Sequence, residues 1–283
     1  MFTSFTSFEE IADNYRAIFF DAFGVLKNSE RVFEGVPQLM LALQDAGKEI
    51  FVVTNDSSKS PSRLAQAYVH PERGPVIRSE RVISSGLLAR DFLANKVRKG
   101  WVAYLGTEAS AYYIEASGLS PVPVAECREE HAPKALVLLD DEGFDWATDI
   151  NKAVNWVRRY NIPVLIANAD LEYPKKDAEV GIAIGGLGKL MEHLLRKTFI
   201  RFGKPDPMMF SFAYRQLLRD HPDYSMRDVL MVGDTLETDI RGANAFGVDT
   251  ALVLSGNTNA EQFEVAIRAS GIIPDFVCES ILT

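Results

Sequence analysis

The sequence predicts an α/β protein built on a parallel sheet, and two observations carry the prediction. Short apolar bursts, RAIFFDAF at 16–23 and EIFVVTND at 49–56, flank an amphipathic helical pattern, PQLMLALQDAG at 37–47, stopped by Gly47. The bursts are β-branched or aromatic at most positions, as expected of strands buried on both faces by crossover helices.

The alternation continues along the chain. PSRLAQAYV at 61–69 reads as a helix with Pro61 in its first turn, where a missing backbone donor costs nothing, and Ser60 as its cap. RVISSG at 81–86 is a short strand. Residues 88–197 then carry a set of their own, with strands at WVAYLG (101–106), KALVLLD (134–140), IPVLIAN (162–168) and VGIAIGG (180–186). Helical patterns lie between them at 108–116 and 146–160, and after the last at 188–197. The last stretch returns to the first theme, with a helix at 207–220 and strands at DVLMVGD (228–234), DTALVLSG (249–256) and PDFVCES (274–280). At 283 residues the chain exceeds a typical single domain. The expected architecture is a Rossmann-like parallel-sheet core of residues 1–87 and 198–283, with an α/β unit of residues 88–197 inserted into it.

Composition narrows the function. Hydrophobic residues make up 47% and charged residues 24%, as in ordinary globular proteins. A formal net charge of −9 argues against nucleic-acid binding, which depends on clustered Lys and Arg. An anionic small substrate would therefore need local cations or a metal. Cys127 and Cys278 lie far apart without CxxC spacing, so neither a disulfide framework nor a zinc site is expected. The opening segment MFTSFTSFEEIADNY has no basic start and no apolar core of a signal peptide, and no run of about 18 apolar residues suggests a membrane span. A cytoplasmic location is the default expectation.

Polar residues gather where the predicted strands end: Asp21, Thr54 and Asn55, Ser84 and Ser85, and Asp234. In open parallel sheets ligands bind beyond the carboxyl ends of strands, so these residues point to one crevice. Any one of them alone is equally well read as a turn former or helix cap. A carboxylate at a strand tip can attack phosphorus and divide a difficult displacement into two easier ones, and Asp21 has that position. The nucleophile and a phosphate are both anionic, so compensating charge is required at the same point. Lys204 can supply a cation, and Asp234 and Asp239 can hold magnesium, which favours oxygen ligands and needs only one or two carboxylates beside a phosphate.

The order of these segments makes the pattern specific. FFDAFGVL (19–26), VVTND (52–56), GKPD (203–206) and VGDTLETDI (232–240) resemble the four motifs of the haloacid dehalogenase-like superfamily. The long insertion after the second motif, TNDSSKS (54–60), AYLGTE (103–108) and IANADLEYP (166–174) are similar to the NagD-like subfamily IIA of sugar or nucleotide phosphatases with a type C2 cap. The resemblance implies a Mg²⁺-dependent phosphatase acting on a small phosphorylated metabolite through an aspartyl-phosphate at Asp21. It implies metal ligation by Asp21, the backbone carbonyl of Phe23 and Asp234, with Asp239 behind them or acting through water. Thr54 and the amide of Asn55 would donate to the phosphoryl oxygens, and Lys204 would neutralise both Asp21 and phosphate. A homodimer formed through the cap is a further implication.

One position departs from the pattern. Phosphatases of this superfamily carry a second Asp two residues after the nucleophile, as acid for the leaving group and then base for water, and here that residue is Phe23. General acid–base catalysis, typically worth about 10²–10⁴-fold, lacks its usual source. Asp56 and the insertion residues Asp140, Asp141 and Glu142 are candidate substitutes, and Asp141, Glu142 and Gly186 are candidate substrate contacts. The competing expectation is a slow or non-hydrolytic phosphometabolite-binding protein. Dehalogenases and phosphonatases also lack the second Asp, but the first need no metal site and the second need a cap lysine in a small helical cap.

Other features carry less. IAIGGLGKL (182–190) suggests a strand, a glycine turn and a helix, without the spacing of a nucleotide-binding loop. His70, His131, His193 and His221 have no metal spacing. Trp101 and Trp156 read as core, Trp146 as a residue that could face the cleft, and Lys175 with Lys176 as a solvated turn.

Overall fold

The computed structural model describes residues 3–4, 7–128, 132–174 and 179–283. His131 and the Lys175–Lys176 pair lie outside the described residues. In chain order the strands are β1 (Thr3–Ser4), β2 (Ala17–Phe20), β3 (Glu49–Thr54), the hairpin β4 (Val69–His70) and β5 (Gly74–Pro75), and β6 (Val82–Ser84). There follow β7 (Trp101–Leu105), β8 (Ser120–Pro123), β9 (Leu136–Leu138), β10 (Val164–Ile166), the hairpin β11 (Glu172–Pro174) and β12 (Val180–Ile182), and β13 (Ile200–Arg201). The chain closes with β14 (Val229–Gly233), β15 (Asp249–Val253) and β16 (Phe276–Cys278).

Two parallel sheets result. The first has seven strands in the order β1-β16-β15-β14-β2-β3-β6, and the second has five in the order β13-β10-β9-β7-β8. In the first, the chain builds outward from β2 through β3 to β6, then returns on the other side of β2 as β14. That reversal opens a crevice between the carboxyl ends of β2 and β14, where Asp21 and Asp234 stand; the Asp21 amide donates to the Val232 carbonyl at 2.9 Å. The alternation of β2 fills two layers. Ile18 and Phe20 pack with Phe8, Met40 and Val52 on one face, while Ala17 and Phe19 pack with Phe51, Phe210 and Met231 on the other. Every residue of β2 is fully buried, which is why it reads as an uninterrupted apolar run.

The second sheet is buried on both faces in the same way, with Trp101 and Trp156 packed edge-to-face on one side at 5.9 Å between ring centroids. Its edge strand β13 pairs with β10 and lies past residue 197, so the second sheet extends beyond the end expected for the insertion. Cys127 and Cys278 are free, buried thiols. No helix among the described residues is long and apolar enough to cross a membrane.

Several elements differ from expectation. The helix expected over 61–69 ends at Ala65, because Val69 is drawn into the β4–β5 hairpin, and the helix expected over 108–116 is regular only over Tyr112–Glu115. The glycine turn expected in IAIGGLGKL is instead the first turns of a helix, Ile184–Leu195. A Cβ on Gly185 would lie 2.4 Å from the Asp170 carbonyl oxygen, and one on Gly186 2.4 Å from that of Leu171. These glycines let the helix press against the loop after β10. Gly186 thus packs on Leu171 and Ile182 instead of forming an open substrate-facing turn.

Gly203 serves a similar purpose at the crevice. Its φ of 119° is unfavourable for other residues, and an added Cβ would fall 2.4 Å from Asn55 Oδ1. Gly203→Ala should destabilise the fold by about 1–3 kcal/mol, read as a lowered midpoint in denaturant unfolding; an unchanged midpoint would contradict this account of the loop.

Candidate active site

The crevice collects four charged side chains from three places in the chain. Asp21 extends from β2, Asp234 and Asp239 from the end of β14 and the turn after it, and Lys204 from the loop before the helix Pro207–Asp220. Lys204 Nζ lies 2.5 Å from Asp21 Oδ1 and 2.7 Å from Asp239 Oδ1. Lys204, Asp234 and Asp239 are almost wholly buried, and Asp21 is 9% exposed. Burying an ammonium is costly unless paired. Here burial acts to lower the Lys204 pKa, but Asp21, Asp239 and Asp170 outweigh it and raise the value, so the lysine remains charged.

If all three carboxylates were ionised, this cluster would carry two negative charges beyond the Lys204 ammonium, and that surplus disfavours their ionisation. Single oxygens of Asp21, Asp234 and Asp239 all lie within 4.8 Å of one another. Burial raises the Asp21 pKa to about 6, Asp239 adds to it, and Lys204 offsets part of it. Burial together with Asp239 and Asp21 pushes Asp234 well above the usual carboxylate range. Asp239 Oδ1 is within ion-pair distance of Lys204 but lies off hydrogen-bonding directions, leaving a buried carboxylate oxygen without a hydrogen bond. An all-oxygen cluster with surplus negative charge fits a hard divalent cation, and Asp21 and Asp234 could hold it.

The Asp234 position is built closely. Its Oδ1 accepts from Thr235 Oγ1 at 3.0 Å and its Oδ2 from the Asn257 amide at 2.6 Å. A Cβ on either Gly24 or Gly256 would collide with the same carboxylate. Asp239 Oδ2 accepts from the Thr235 amide at 3.1 Å, so one short turn orients both acids.

Thr54 and Asn55 end β3 beside this cluster. The Asn55 side chain is committed to structure: its Oδ1 accepts from the Lys204 amide at 2.7 Å, and its Nδ2 donates to the Lys204 carbonyl at 3.1 Å and to Asp170 Oδ1 at 2.8 Å. Only its backbone amide is left for a ligand role. Ser84 and Ser85, which the sequence sends toward the crevice, instead donate to the Asp56 and Asn55 carbonyls at 2.6 and 2.8 Å and hold the loop.

The candidate proton donors separate by environment. Asp56 accepts from Lys27 Nζ at 3.1 Å and from Ser58 Oγ at 2.6 Å; burial would raise its pKa, but these partners hold it below the usual range. It is therefore a poor acid. Asp140 follows β9, where burial, with neighbouring Asp141, Asp56 and Glu142, raises its pKa to about 6 despite a hydrogen bond from Thr107. Asp141 Oδ2 accepts from the Tyr173 hydroxyl at 3.0 Å, and Glu142 is exposed. Phe23 lies 6.4 Å, ring to ring, from Tyr173 and carries Lys27 Nζ 4.0 Å above its ring centroid. Trp146 is 42% exposed and stacks on Phe144.

Lys27, Asp170, Tyr173 and Asn257 escape the sequence reading. Asp170 and Tyr173 sit inside the quoted segment IANADLEYP, but nothing in that segment tells which polar side chain reaches β3. Asn257 donates its backbone amide to Asp234 and its side-chain amide to Thr235 Oγ1 at 2.8 Å, from a position 23 residues further along the chain that no motif marks.

Asp140 has a pH consequence. An acid that is harder to ionise when folded stabilises the fold below its ordinary value of 3.8 and gives that stability up as pH rises through about 6. Asp140→Asn should thus gain on the wild type between these limits, by on the order of 1 kcal/mol given partial exposure. Melting temperatures of both proteins across this interval test it, and a constant difference would refute it.

Comparison with known proteins agrees with this geometry. Residues 18–120 match the haloacid dehalogenase-like hydrolase family, and residues 201–283 match a second family described as HAD-hydrolase-like. A possible sugar phosphatase of the HAD superfamily from Cytophaga hutchinsonii is 44% identical and superimposes with a TM-score of 0.93, covering 100% of this chain and 99% of that one. Glycerol phosphate phosphatase from Mycobacterium tuberculosis, crystallised with magnesium, is 26% identical with a TM-score of 0.75, covering 96% of this chain and 77% of that one. Bovine chronophin is 28% identical over 281 residues, covering 96% of this chain and 93% of its own length. With the sugar phosphatase of the HAD superfamily 44% identical over the whole chain and the same motifs brought to one crevice, the chain belongs to the haloacid dehalogenase-like hydrolase family.

Proposed function

We propose that the chain is a Mg²⁺-dependent phosphatase that hydrolyses a small phosphorylated metabolite through an aspartyl-phosphate on Asp21. The observation that carries this reading is Asp21 at the reversal point of the sheet, 2.5 Å from Lys204 Nζ, with Asp234 and Asp239 oxygens within 4.8 Å. Asp21 Oδ would attack phosphorus. Lys204 would hold the attacking carboxylate in place and offset charge on the phosphoryl oxygens, with Thr54 and the Asn55 amide as further donors. Asp21, Asp234 and the Phe23 carbonyl would hold the metal, with Asp239 behind them, and the ion would supply Lewis-acid stabilisation of phosphoryl charge. Relatives named as phosphatases support this over the non-hydrolytic binder. Sugar, nucleotide and aryl phosphates remain the substrate classes, and a cytoplasmic setting suits such a metabolite.

Phosphate-ester turnover should require Mg²⁺, vanish with a chelator and return on adding the ion. Asp21→Asn should lower kcat by about 10³-fold or more, as expected for loss of a covalent nucleophile. Phosphate release from an ester panel is the measurement, and undiminished turnover by the variant would defeat the reading.

The homodimer belongs to the same proposal. The β11–β12 hairpin and the helix Ile184–Leu195 expose Val180 and Ile182 (58% each), Leu190 (53%) and Leu194 (60%), next to Leu171 (54%). Leaving such neighbouring apolar residues wet is unfavourable, and a second copy would cover them. Leu190→Glu with Leu194→Glu should shift the mass in light scattering from dimer to monomer while the circular dichroism spectrum stays that of the folded chain; a monomeric wild type would reject the dimer.

A further inference from the structure

The unexplained element of this site is what receives the leaving oxygen, since Phe23 has no proton to give. In-line displacement at phosphorus places the leaving atom opposite the attacking oxygen. Asp21 stands at the carboxyl end of β2, so the leaving group points away from the seven-stranded sheet and toward the elements of the insertion that meet Phe23. Tyr173 is one of these, with its ring beside Phe23 and its hydroxyl on Asp141.

The two lysines of the site are divided between these sides. Lys204 is held on the sheet side by Asp21 and Asp239. Lys27 is held on the Phe23 side, and its position is built. The Lys27 amide donates to the Ala22 carbonyl at 3.0 Å, and its carbonyl accepts from the Gly24 amide at 2.8 Å, closing a tight loop directly after the nucleophile. Gly24 adopts φ 76° to make that turn. The Lys27 side chain, 17% exposed, then folds back so that Nζ lies 4.0 Å above the Phe23 ring centroid and 3.1 Å from Asp56 Oδ2. An aromatic face attracts an ammonium without taking up its hydrogen-bond donors, and an ammonium has three. Asp56 uses one of them and, being ionised, keeps the lysine paired while the site is empty.

We propose that Lys27 is a catalytic residue, and that its ammonium, presented on the Phe23 ring, receives the leaving-group oxygen. The inference rests on the phosphatase reading above. In the step, an Asp21 oxygen forms its bond to phosphorus as the phosphorus–oxygen bond of the ester breaks, and the departing oxygen keeps that electron pair. Lys27 donates a hydrogen bond to the resulting alkoxide or aryloxide and balances its charge; the proton that completes the alcohol comes from a water molecule, and the hydroxide so formed attacks phosphorus of the aspartyl-phosphate, releasing phosphate and restoring the Asp21 carboxylate. The benefit grows with the charge developed on the leaving oxygen, so it is largest for poor leaving groups.

The test is a series of phosphate monoesters with Mg²⁺, running from p-nitrophenyl through phenyl to alkyl esters, with kcat/KM plotted against leaving-group acidity. Lys27→Met should steepen the dependence, lowering the alkyl-to-p-nitrophenyl ratio of kcat/KM by about 10²-fold, the size seen when one donor to a developing oxyanion is removed. Lys27→Arg should restore most of that ratio. Because Lys27→Met strands the Asp56 charge, Lys27→Met with Asp56→Asn should show the same steepening in a protein without the orphan carboxylate. A loss of equal size across the series, or steepening produced by Asp140→Asn in place of Lys27→Met, overturns the assignment while the phosphatase reading stands. If the wild type turns over no ester with Mg²⁺, the phosphatase reading fails and the assignment falls with it.

Discussion

The site depends on one buried ammonium. Lys204 is enclosed at the crevice floor, and its burial is tolerable because Asp21, at the end of β2, and Asp239, in the helical turn after β14, both approach it. The dependence is mutual, since those carboxylates are also buried and surplus in charge. Asn55 completes the arrangement by gripping the Lys204 backbone at both its amide and its carbonyl. A residue 149 positions earlier in the chain thus sets where the lysine stands, and Gly203 is the only kind of residue that leaves room for the grip.

The same asparagine reaches the second sheet through Asp170, whose carboxyl burial raises to about 6 while Lys204 and Asn55 pull it down. Ser57 adds a hydrogen bond to the Leu139 carbonyl at the end of β9. The loop after β3 therefore rests on the second sheet as well as the first. Placement of Lys204 and placement of the second sheet are coupled through one side chain, which explains why Asn55 has only its backbone amide left for a ligand.

Phe23 gains a meaning that composition alone does not suggest. Where an acid would have taken and given a proton, an aromatic ring carries Lys27 on one contact and meets Tyr173 on another. The position presents an aromatic face where a titratable group would otherwise stand. Asp56, which its place after Thr54 and Asn55 recommends as a substitute acid, is tied down by Lys27 and Ser58 instead.

The strands and their ends were legible in the sequence because local physics writes them there. β2, β14 and the stretch Ile50–Val53 of β3 are buried on both faces, so they are apolar and the next polar residue marks the strand tip; Asp21 and Asp234 follow β2 and β14 directly, and Thr54 closes β3. Element lengths were less legible where a neighbour overrode local preference, as when the β4–β5 hairpin shortened the helix begun at Pro61, or when contact with Asp170 and Leu171 turned a run of glycines into helix. Partnerships could not be read at all. Whether Asp56 is an acid or the counter-ion of Lys27, whether Asn55 faces substrate or grips Lys204, and which insertion residue reaches the crevice depend on groups between 29 and 149 residues apart. Only the folded chain brings them within hydrogen-bonding distance, and short-range forces of that kind leave no periodic trace in the order of amino acids.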